Sequence, residues 1–356
     1  MPLKILFLSH RFYPDIGGIE TIAEILAQSF VCKGNDVKLA TWSIDPSEKK
    51  FGFPVYRNPN LPQLIRLHKW ADVVFENNVC LRLSWPAFLL KKISVVSLQT
   101  WVSRLDGSIK LPDKLKFLWL KRAGKVIACS NAVKERCWPD AIAIGNPYRE
   151  SIFRELPDIK RDKDFVFLGR LVSDKGADLA IKAISKLVVS DQYSQDNNIK
   201  LSIVGDGPER KHLEQLSTDL GLQNHVCFTG SLTGDTLVHF LNRHKYIIIP
   251  SLWEEPFGVV ALEGMACGCL PVFSDGGGLK DAVGGAGISF ERGNVDSLAD
   301  ALKEVITNTN LKTELTVAAE RHLKKHSSIA VSGKYLEIFE EAMSGCNKKQ
   351  LTKIIA

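Results

Sequence analysis

The sequence predicts an α/β protein built from two doubly wound parallel sheets. Short apolar runs alternate with amphipathic segments along almost all of the 356 residues, and the alternation pauses at a polar, proline-containing stretch over residues 145–163. The apolar runs are hydrophobic on both faces, which is typical of parallel strands covered by helices. Ligands of such sheets bind beyond the carboxyl ends of the strands. We therefore expect two Rossmann-like domains that face each other across a cleft.

The elements follow in order along the chain. A first buried strand over residues 5–9 precedes a helical pattern from Ile19 to Phe30, and a last helical stretch runs from Ile329 to Met343 before a Lys-rich tail. The other predicted strands of the first half span residues 36–41, 73–76, 95–98 and 126–129, and those of the second half span residues 165–168, 199–204, 226–228, 246–249 and 270–273. We expect domains at residues 1–155 and 156–328, with residues 329–356 crossing back to the first.

The charge is uneven along the chain. The formal net charge is +6: residues 1–150 carry +9, with 22 basic against 13 acidic residues, and the rest of the chain carries −3. This basic character is too dilute for a nucleic-acid enzyme and better fits an acidic acceptor or an anionic membrane surface. Lys91, Lys92 and Arg104 interrupt the most hydrophobic region, so no segment is expected to span a membrane.

The start of the sequence and the spacing of its cysteines bear on location and metal binding. The first residues lack a signal-peptide pattern. Eight cysteines are scattered without zinc-site spacing, which predicts reduced, buried thiols in a cytoplasmic enzyme and no metal site. A metal or redox role for Cys267 and Cys269, which are two residues apart, is the minor alternative.

The strongest motif covers residues 250–268, where a strand, a loop and a helix are predicted in that order. Gly258 falls at the helix start, where unpaired backbone amides and the positive end of the helix dipole suit a phosphate or sugar hydroxyls. Glu255 lies in the loop, and Glu263 is predicted about two turns down the helix, so two carboxylates enter one cleft at different depths. The deeper one suits a vicinal diol, such as ribose, unless it only pairs within the helix.

Two further turns carry chemistry. Gly17 and Gly18 predict a tight turn at a helix start, where the missing Cβ lets the backbone approach a ligand, although a simple turn is the alternative. Arg170 and Lys175 bracket a strand-to-helix turn and could neutralise a diphosphate. The turn that starts at Gly205 matches only the first part of the dinucleotide-binding pattern Gly-x-Gly-x-x-Gly, because an arginine stands in place of the last glycine. This argues against an enzyme that uses a nicotinamide dinucleotide.

The motif Glu-Pro-Phe-Gly-Val-x-x-Leu-Glu-Gly-Met-Ala, from Glu255, resembles the signature of the retaining GT-B fold glycosyltransferases of family 4. The resemblance covers nearly the full chain. It includes residues 14–20, 130–132, 145–147, 169–176, 204–209 and 275–278. It implies that the N-terminal domain binds the acceptor and the C-terminal domain binds a nucleotide diphosphate sugar, with UDP-sugar preferred.

The resemblance also implies a mechanism without a cofactor or a metal ion. A hexose-type sugar is transferred with retention by front-side attack, and Arg170, Lys175 and the backbone amides at 257–259 stabilise the departing diphosphate. Glu255 holds donor hydroxyls or the developing charge rather than acting as a nucleophile. The predicted donor-binding residues are Gly17, Gly18, Gly169, Arg170, Lys175, Gly205, Leu232, Glu255, Phe257, Gly258, Val259 and Glu263.

One position departs from the family pattern. Where many relatives have a histidine after the first-half strand ending at Leu98, this chain has Gln99, which cannot carry a proton's charge. This puts in doubt the proton relay or the activity itself. His10, at the end of the first strand, is a candidate substitute, although a loop histidine is more often only a structural group. The expected acceptor-binding residues are Arg11, Tyr13, Trp101 and Arg104, with Arg82 beside them.

A basic amphipathic segment over residues 110–122 has two interpretations. It could lie on an anionic inner membrane and meet a lipid-linked glycan, giving a peripheral enzyme of polysaccharide or glycolipid synthesis. Alternatively, Leu115, Leu118 and Trp119 pack inward and leave the lysines in solvent.

Two alternatives to a transferase remain open. The first is a catalytically weak or inactive nucleotide-sugar-binding partner of another glycosyltransferase, and the second is an epimerase or sugar phosphate synthase of the same fold.

Overall fold

The computed structural model describes residues 2–15, 17–47, 49–103, 108–189 and 199–355, with side chains described as far as residue 344. The chain divides into two compact units, Met1–Pro147 with Ser327–Ala356, and Tyr148–His326. The boundaries expected from the sequence, after residues 155 and 328, lie eight and two residues later than these. Each unit contains a parallel sheet flanked by helices, so the predicted fold class of two parallel-sheet α/β domains is confirmed.

Within the described residues, the first unit holds a seven-stranded sheet in the order β3-β2-β1-β4-β5-β6-β7. Its strands are β1 Lys4–Ser9, β2 Asp36–Thr41, β3 Val55–Arg57, β4 Val73–Asn77, β5 Ile93–Leu98, β6 Lys125–Ala128 and β7 Ile142–Ala143. Its helices are α1 Gly18–Cys32, α2 Leu61–Trp70, α3 Leu81–Leu89, α4 Leu111–Leu120, α5 Asn131–Cys137 and α13 Ser328–Ile355. The edge strands β3 and β7 were not predicted, because runs of three and two residues are too short to show an apolar period.

The second unit holds a six-stranded parallel sheet among its described residues, in the order β10-β9-β8-β11-β12-β13. Its strands are β8 Lys163–Leu168, β9 Leu201–Val204, β10 Val226–Gly230, β11 His244–Ile249, β12 Leu270–Ser274 and β13 Ile288–Phe290. Its helices are α6 Ala177–Val189, α7 Arg210–Asp219, α8 Gly234–Asn242, α9 Val259–Ala266, α10 Leu279–Val283, α11 Val295–Thr307 and α12 Thr309–Lys325, with a 3-10 turn at Ser173–Lys175. The strand order reverses between β8 and β11, where a doubly wound sheet opens a crevice at its carboxyl edge.

The last helix, α13, packs on the first unit through aromatic side chains. Tyr335 meets Phe75 of β4 edge-on with ring centroids 5.6 Å apart, and Phe339 contacts Phe30 of α1 at 5.4 Å. The Tyr335 hydroxyl also pairs with the Ser97 hydroxyl on β5 at 2.9 Å. The helix continues beyond Met343 to Ile355, where a tail was expected.

Two other sequence-based interpretations need correction. Cys32 and Cys227 are exposed, so not every thiol is buried as expected. Leu115 and Leu118 are about half exposed (50% and 49%), so they do not pack inward together with Trp119. Along the part of the chain that the structure describes, no helix combines the length and apolarity needed to cross a membrane.

Candidate functional site

The centre of the predicted donor site is an ion pair in the second unit. The Lys175 ammonium, at the end of the 3-10 turn after β8, binds the Glu255 carboxylate in the loop after β11. The Ser251 hydroxyl donates to the same Glu255 oxygen at 3.0 Å. Because β8 and β11 are neighbouring parallel strands, their loops leave the same edge of the sheet. The sequence placed Lys175 and Glu255 in one site but missed both their direct pairing and Ser251.

Backbone hydrogen bonds hold these two loops together. The carbonyl of Asp174 accepts from the amides of Leu252 and Trp253 at 2.9 and 3.1 Å. Gly176 has a φ of +68°, and a Cβ there would lie 2.0 Å from the carbonyl oxygen of Pro250. Only glycine permits this approach, so the position of Lys175 opposite Glu255 depends on a residue without a side chain.

Arg170 leaves the same edge of the sheet directly after β8. Its side chain is exposed, and within the described residues its guanidinium makes no hydrogen bond or salt bridge. An unpaired guanidinium beside an ion-paired lysine is a suitable partner for a diphosphate.

Gly169, next to Arg170, forms a turn that packs against the turn after β9. Gly205 has a φ of +138°, and a Cβ there would lie 1.9 Å from the Gly169 carbonyl oxygen. The amide of Gly205 donates to the carbonyl of Gly230, at the end of β10, at 2.9 Å. Half-buried Leu232 follows on the next loop. These predicted residues therefore line one continuous carboxyl edge of the sheet.

The helix α9 starts where the motif predicted. Gly258 is its N-cap, with a left-handed backbone (φ 100°, ψ 61°), and Val259 is its first residue. Phe257 is buried, with its ring against His326 at 5.6 Å, so only its backbone remains for a ligand. The loop after β12 supports this segment, because the amide of Gly278 donates to the Glu255 carbonyl at 2.7 Å.

Glu263 lies in the second turn of α9, slightly nearer the helix start than expected because the helix begins at Val259. Its side chain is half-buried and makes no hydrogen bond with the described residues. Burial raises the pKa of this carboxyl to about 7, and the positive charge of Arg149 opposes the rise. An unpaired carboxylate held at this depth is costly, which is unusual for a purely structural group.

In the first unit, a separate cavity of about 470 Å³ brings several predicted residues together. His10, Arg11 and Trp101 line it, and so do Arg82 and Lys116. Burial, together with the charges of Arg11 and Arg82, lowers the pKa of His10, while Asp15 opposes the effect. The sequence named Arg82 only in passing and missed Lys116, which lies in the middle of α4.

Other residues predicted for the first unit lie elsewhere. The Tyr13 ring meets Phe51 edge-on at 6.0 Å, under the Lys49 ammonium at 4.4 Å, and is not among the cavity residues. Gly17 caps α1 with an extended backbone (φ 174°) rather than a tight turn, and Gly18 begins the helix. Arg104 lies outside the described residues.

Gln99 is buried at the end of β5 rather than exposed in the cavity. Its amide nitrogen donates to the Ser97 hydroxyl at 2.8 Å, and its amide oxygen has no partner among the described residues. No group of three or more His, Cys, Asp or Glu side chains in the described ranges could hold a metal ion.

Comparison with known proteins agrees with this architecture. Residues 148–322 match the family model described as glycosyl transferases group 1. The glycosyltransferase MJ1607 of Methanocaldococcus jannaschii is 32% identical, with 96% of this chain and 99% of the relative covered. The gpi3 subunit of the phosphatidylinositol N-acetylglucosaminyltransferase of Schizosaccharomyces pombe is 29% identical over 70% of this chain and 55% of its own length.

Among solved structures, HepE of Anabaena, crystallised with UDP and glucose, superimposes with a TM-score of 0.77. The match covers 95% of this chain and all of that one, at 20% identity. HepE is therefore evidence for the fold class, two parallel-sheet α/β domains of the GT-B type.

Proposed function

Because the chain belongs to the glycosyl transferases group 1 family, we propose that it is a retaining glycosyltransferase that moves a hexose-type sugar from a nucleotide diphosphate sugar. We propose UDP as the nucleotide, with support from the UDP complex of the similarly folded HepE. The observation that carries the donor assignment is the Lys175–Glu255 pair, beside an unpaired Arg170, at the carboxyl edge of the second unit's sheet.

The ion pair gives a physical route to donor binding. A diphosphate carries more negative charge than a carboxylate, so it would compete with Glu255 for the Lys175 ammonium. Arg170 and the amides at the start of α9 would supply the remaining donors. Glu255, once released from the lysine, would accept hydrogen bonds from hydroxyls of the donor sugar. The same lysine thereby couples the binding of phosphate to the positioning of the sugar.

Glu263 is suited to bind the ribose, at the nucleotide end of the donor. A carboxylate can accept from two vicinal hydroxyls at once, and ribose offers such a pair. The lack of a hydrogen-bond partner for this side chain among the described residues favours this role over a pair within the helix. Gly169, Gly205 and Leu232 would shape the pocket for the base largely through backbone atoms.

For the chemical step, we propose front-side attack with retention. As the glycosidic bond breaks, charge grows on the leaving diphosphate, and Arg170, Lys175 and the amides at 257–259 would stabilise it. These groups supply the neutralisation that a divalent cation would otherwise provide, so we expect transfer without an added metal ion.

The acceptor's proton needs a receiver near the reaction centre. The family histidine is replaced by Gln99, which is engaged with Ser97. His10 lines the cavity of the first unit, and its lowered pKa keeps it neutral near pH 7 and able to accept a proton. We therefore assign the role to His10 or to the donor's own phosphate, and place the acceptor in this cavity, beside Arg11 and Trp101.

We also propose that the enzyme is cytoplasmic and contacts an anionic membrane through α4. Leu111, Leu115 and Leu118 expose 71%, 50% and 49% of their surface on this helix. The lysines at 110, 114 and 116 accompany them, and this combination of apolar and basic side chains matches acidic lipid headgroups. The acceptor would then be lipid-linked, as in glycolipid or polysaccharide synthesis. Flotation with phosphatidylglycerol vesicles tests this contact, and Leu115→Ser with Leu118→Ser should abolish it.

The donor assignment is tested by thermal shift with a panel of nucleotide sugars. A ligand that binds only the folded state raises the melting temperature in proportion to the logarithm of its concentration over its Kd. We expect a shift with a UDP-sugar, and no shift with any nucleotide sugar would contradict the proposal. Slow hydrolysis of the same donor without acceptor separates an enzyme from a binding partner, because a pure binder releases no sugar.

A further inference from the structure

The described lining of the first unit's cavity carries three cationic side chains, from Arg11, Arg82 and Lys116, and one acidic side chain. Arg11 and Arg82 are exposed on its lining, and within the described residues neither guanidinium forms a salt bridge with a carboxylate. Lys116 adds a third cation, which is loosely paired with Asp113 at 3.4 Å. Glu20 is the acidic residue on the described lining. The balance is positive, and both arginines are close enough to His10 to lower its pKa.

The cavity also offers an acceptor for a hydroxyl group. Asn77, at the end of β4, lines it, and its amide nitrogen donates to the Ile19 carbonyl at 2.9 Å. That bond fixes the orientation of the amide and leaves its oxygen buried, without a partner among the described residues. A buried amide oxygen loses free energy unless a donor reaches it, and a sugar or polyol hydroxyl is a suitable donor.

The helix that carries Lys116 is fixed in place over the cavity. The Trp119 indole donates to the Glu76 carboxylate at 2.8 Å, and the other Glu76 oxygen accepts from the Cys80 amide at 3.0 Å. Glu76 directly precedes Asn77 in β4. The hydrogen bond from Trp119 therefore holds α4 against the end of the strand that lines the cavity. Lys116 therefore stands on a helix that this hydrogen bond holds against the end of β4.

From these observations we propose that this cavity binds a phosphate ester on a hydroxylated acceptor, so that the enzyme's acceptor is a phosphorylated sugar or polyol rather than a neutral one. Arg11 and Arg82 hold the phosphate, Lys116 supports them, and Asn77 accepts from a hydroxyl group. This inference rests on the proposed function, because it names the acceptor class for that transfer. A free sugar phosphate carries up to two negative charges, against one for a uronic acid, so it can pair with both arginines at once.

The same chemistry could come from a free sugar phosphate or from a phospholipid headgroup. Calorimetric titration of the full chain with glucose 6-phosphate, glucose and glucuronate, all with saturating UDP, tests the free form. Because UDP then occupies the proposed anion site of the second unit, the heat of the titration reports on binding to the first unit. Flotation with phosphatidylcholine vesicles that contain phosphatidylinositol tests the lipid form, with glucose 6-phosphate as the competitor.

We expect glucose 6-phosphate to bind at least 10-fold more tightly than glucose or glucuronate, and Arg11→Gln or Arg82→Gln to weaken that binding at least 10-fold. Arg122→Gln is the matched control, because this exposed arginine lies over the Phe88 ring, away from the cavity. If the phosphate is part of a lipid, vesicle binding should show the same dependence on Arg82 and should fall when glucose 6-phosphate is added.

Two results would overturn the inference: equal affinity for glucose and its phosphate, or phosphate binding in both arms that is unchanged by the two arginine substitutions. Failure of UDP itself to bind would instead contradict the donor assignment. The glucose 6-phosphate titration would still decide the cavity in that case, since it needs only the first unit's side chains.

Discussion

The two units build the edges that carry the candidate sites by different means. In the second unit, glycines and backbone hydrogen bonds bring the loops together, as at Gly176 against Pro250 and Gly205 against Gly169. In the first unit, side chains from several elements meet around a cavity, as Arg82 of α3 and Lys116 of α4 do. Backbone packing tolerates little change, whereas a lining of long side chains can be altered one charge at a time.

The largest expected effect falls on the backbone-built site of the second unit. Lys175→Ala removes the cation that pairs with Glu255, and losing one preorganised donor to a developing negative charge costs about 100- to 1,000-fold in kcat. Donor hydrolysis and sugar transfer should fall together. Lys182→Ala is the control, since Lys182 forms only a partly exposed pair with Asp178 within α6. Equal activity in the two variants would contradict the role of Lys175.

The glycine packing can be tested separately from the chemistry. Gly176→Ala places a methyl group on the Pro250 carbonyl in a left-handed backbone, and strain plus overpacking should cost about 2–4 kcal/mol of unfolding free energy in urea. Gly221→Ala is a matched control, because its φ of +69° is nearly identical to the +68° of Gly176 and open space surrounds it. It should cost about 1 kcal/mol, from backbone strain alone. Equal costs would mean that the close approach is unimportant.

Sequence reasoning succeeded where a short local pattern determines the structure. The motif over residues 250–268 predicted a strand, a loop and a helix in that order, and the structure has the strand as β11, which ends just before it, and the helix as α9. It failed where partners come from distant parts of the chain. Lys116 belongs to an ordinary amphipathic pattern that carries no local signal of a binding role, and only the fold brings it to the cavity with His10 and Arg82. Tyr13 looked available beside Arg11, but its ring packs on Phe51, 38 residues further along.

The Glu263 carboxylate is expected to lower the stability of the protein above its pKa and to contribute to donor binding. Since burial raises its pKa from 4.5 to about 7, the native state holds more protons than the unfolded state between these values, and stability falls as the pH rises through that window. Glu263→Gln should therefore add about 1–3 kcal/mol at pH 8 and almost nothing at pH 4, measured by urea unfolding.

The same substitution should weaken the UDP-sugar by about 10-fold if the carboxylate holds the ribose, because a neutral amide is a poorer acceptor for two hydroxyls. Glu314→Gln, at an exposed position on α12, should change neither stability nor binding. A stabilised Glu263→Gln variant with unchanged donor affinity would show that the carboxylate has no part in binding.

The smallest expected effect concerns the frame of the first unit's cavity. Trp119→Phe keeps an aromatic ring, although a smaller one, but removes the hydrogen bond to Glu76, which should cost about 1 kcal/mol in unfolding free energy. Trp70→Phe is the control, since the Trp70 indole N–H makes no hydrogen bond with the described residues and the Lys38 ammonium 4.1 Å above it can rest on either ring. If side chains rather than backbone hold the cavity together, Trp119→Phe should also weaken glucose 6-phosphate several-fold. The affinity for UDP should stay unchanged, because the UDP site is built from the loops of the other sheet. A parallel loss of UDP binding would mean that the two edges are not independently constructed.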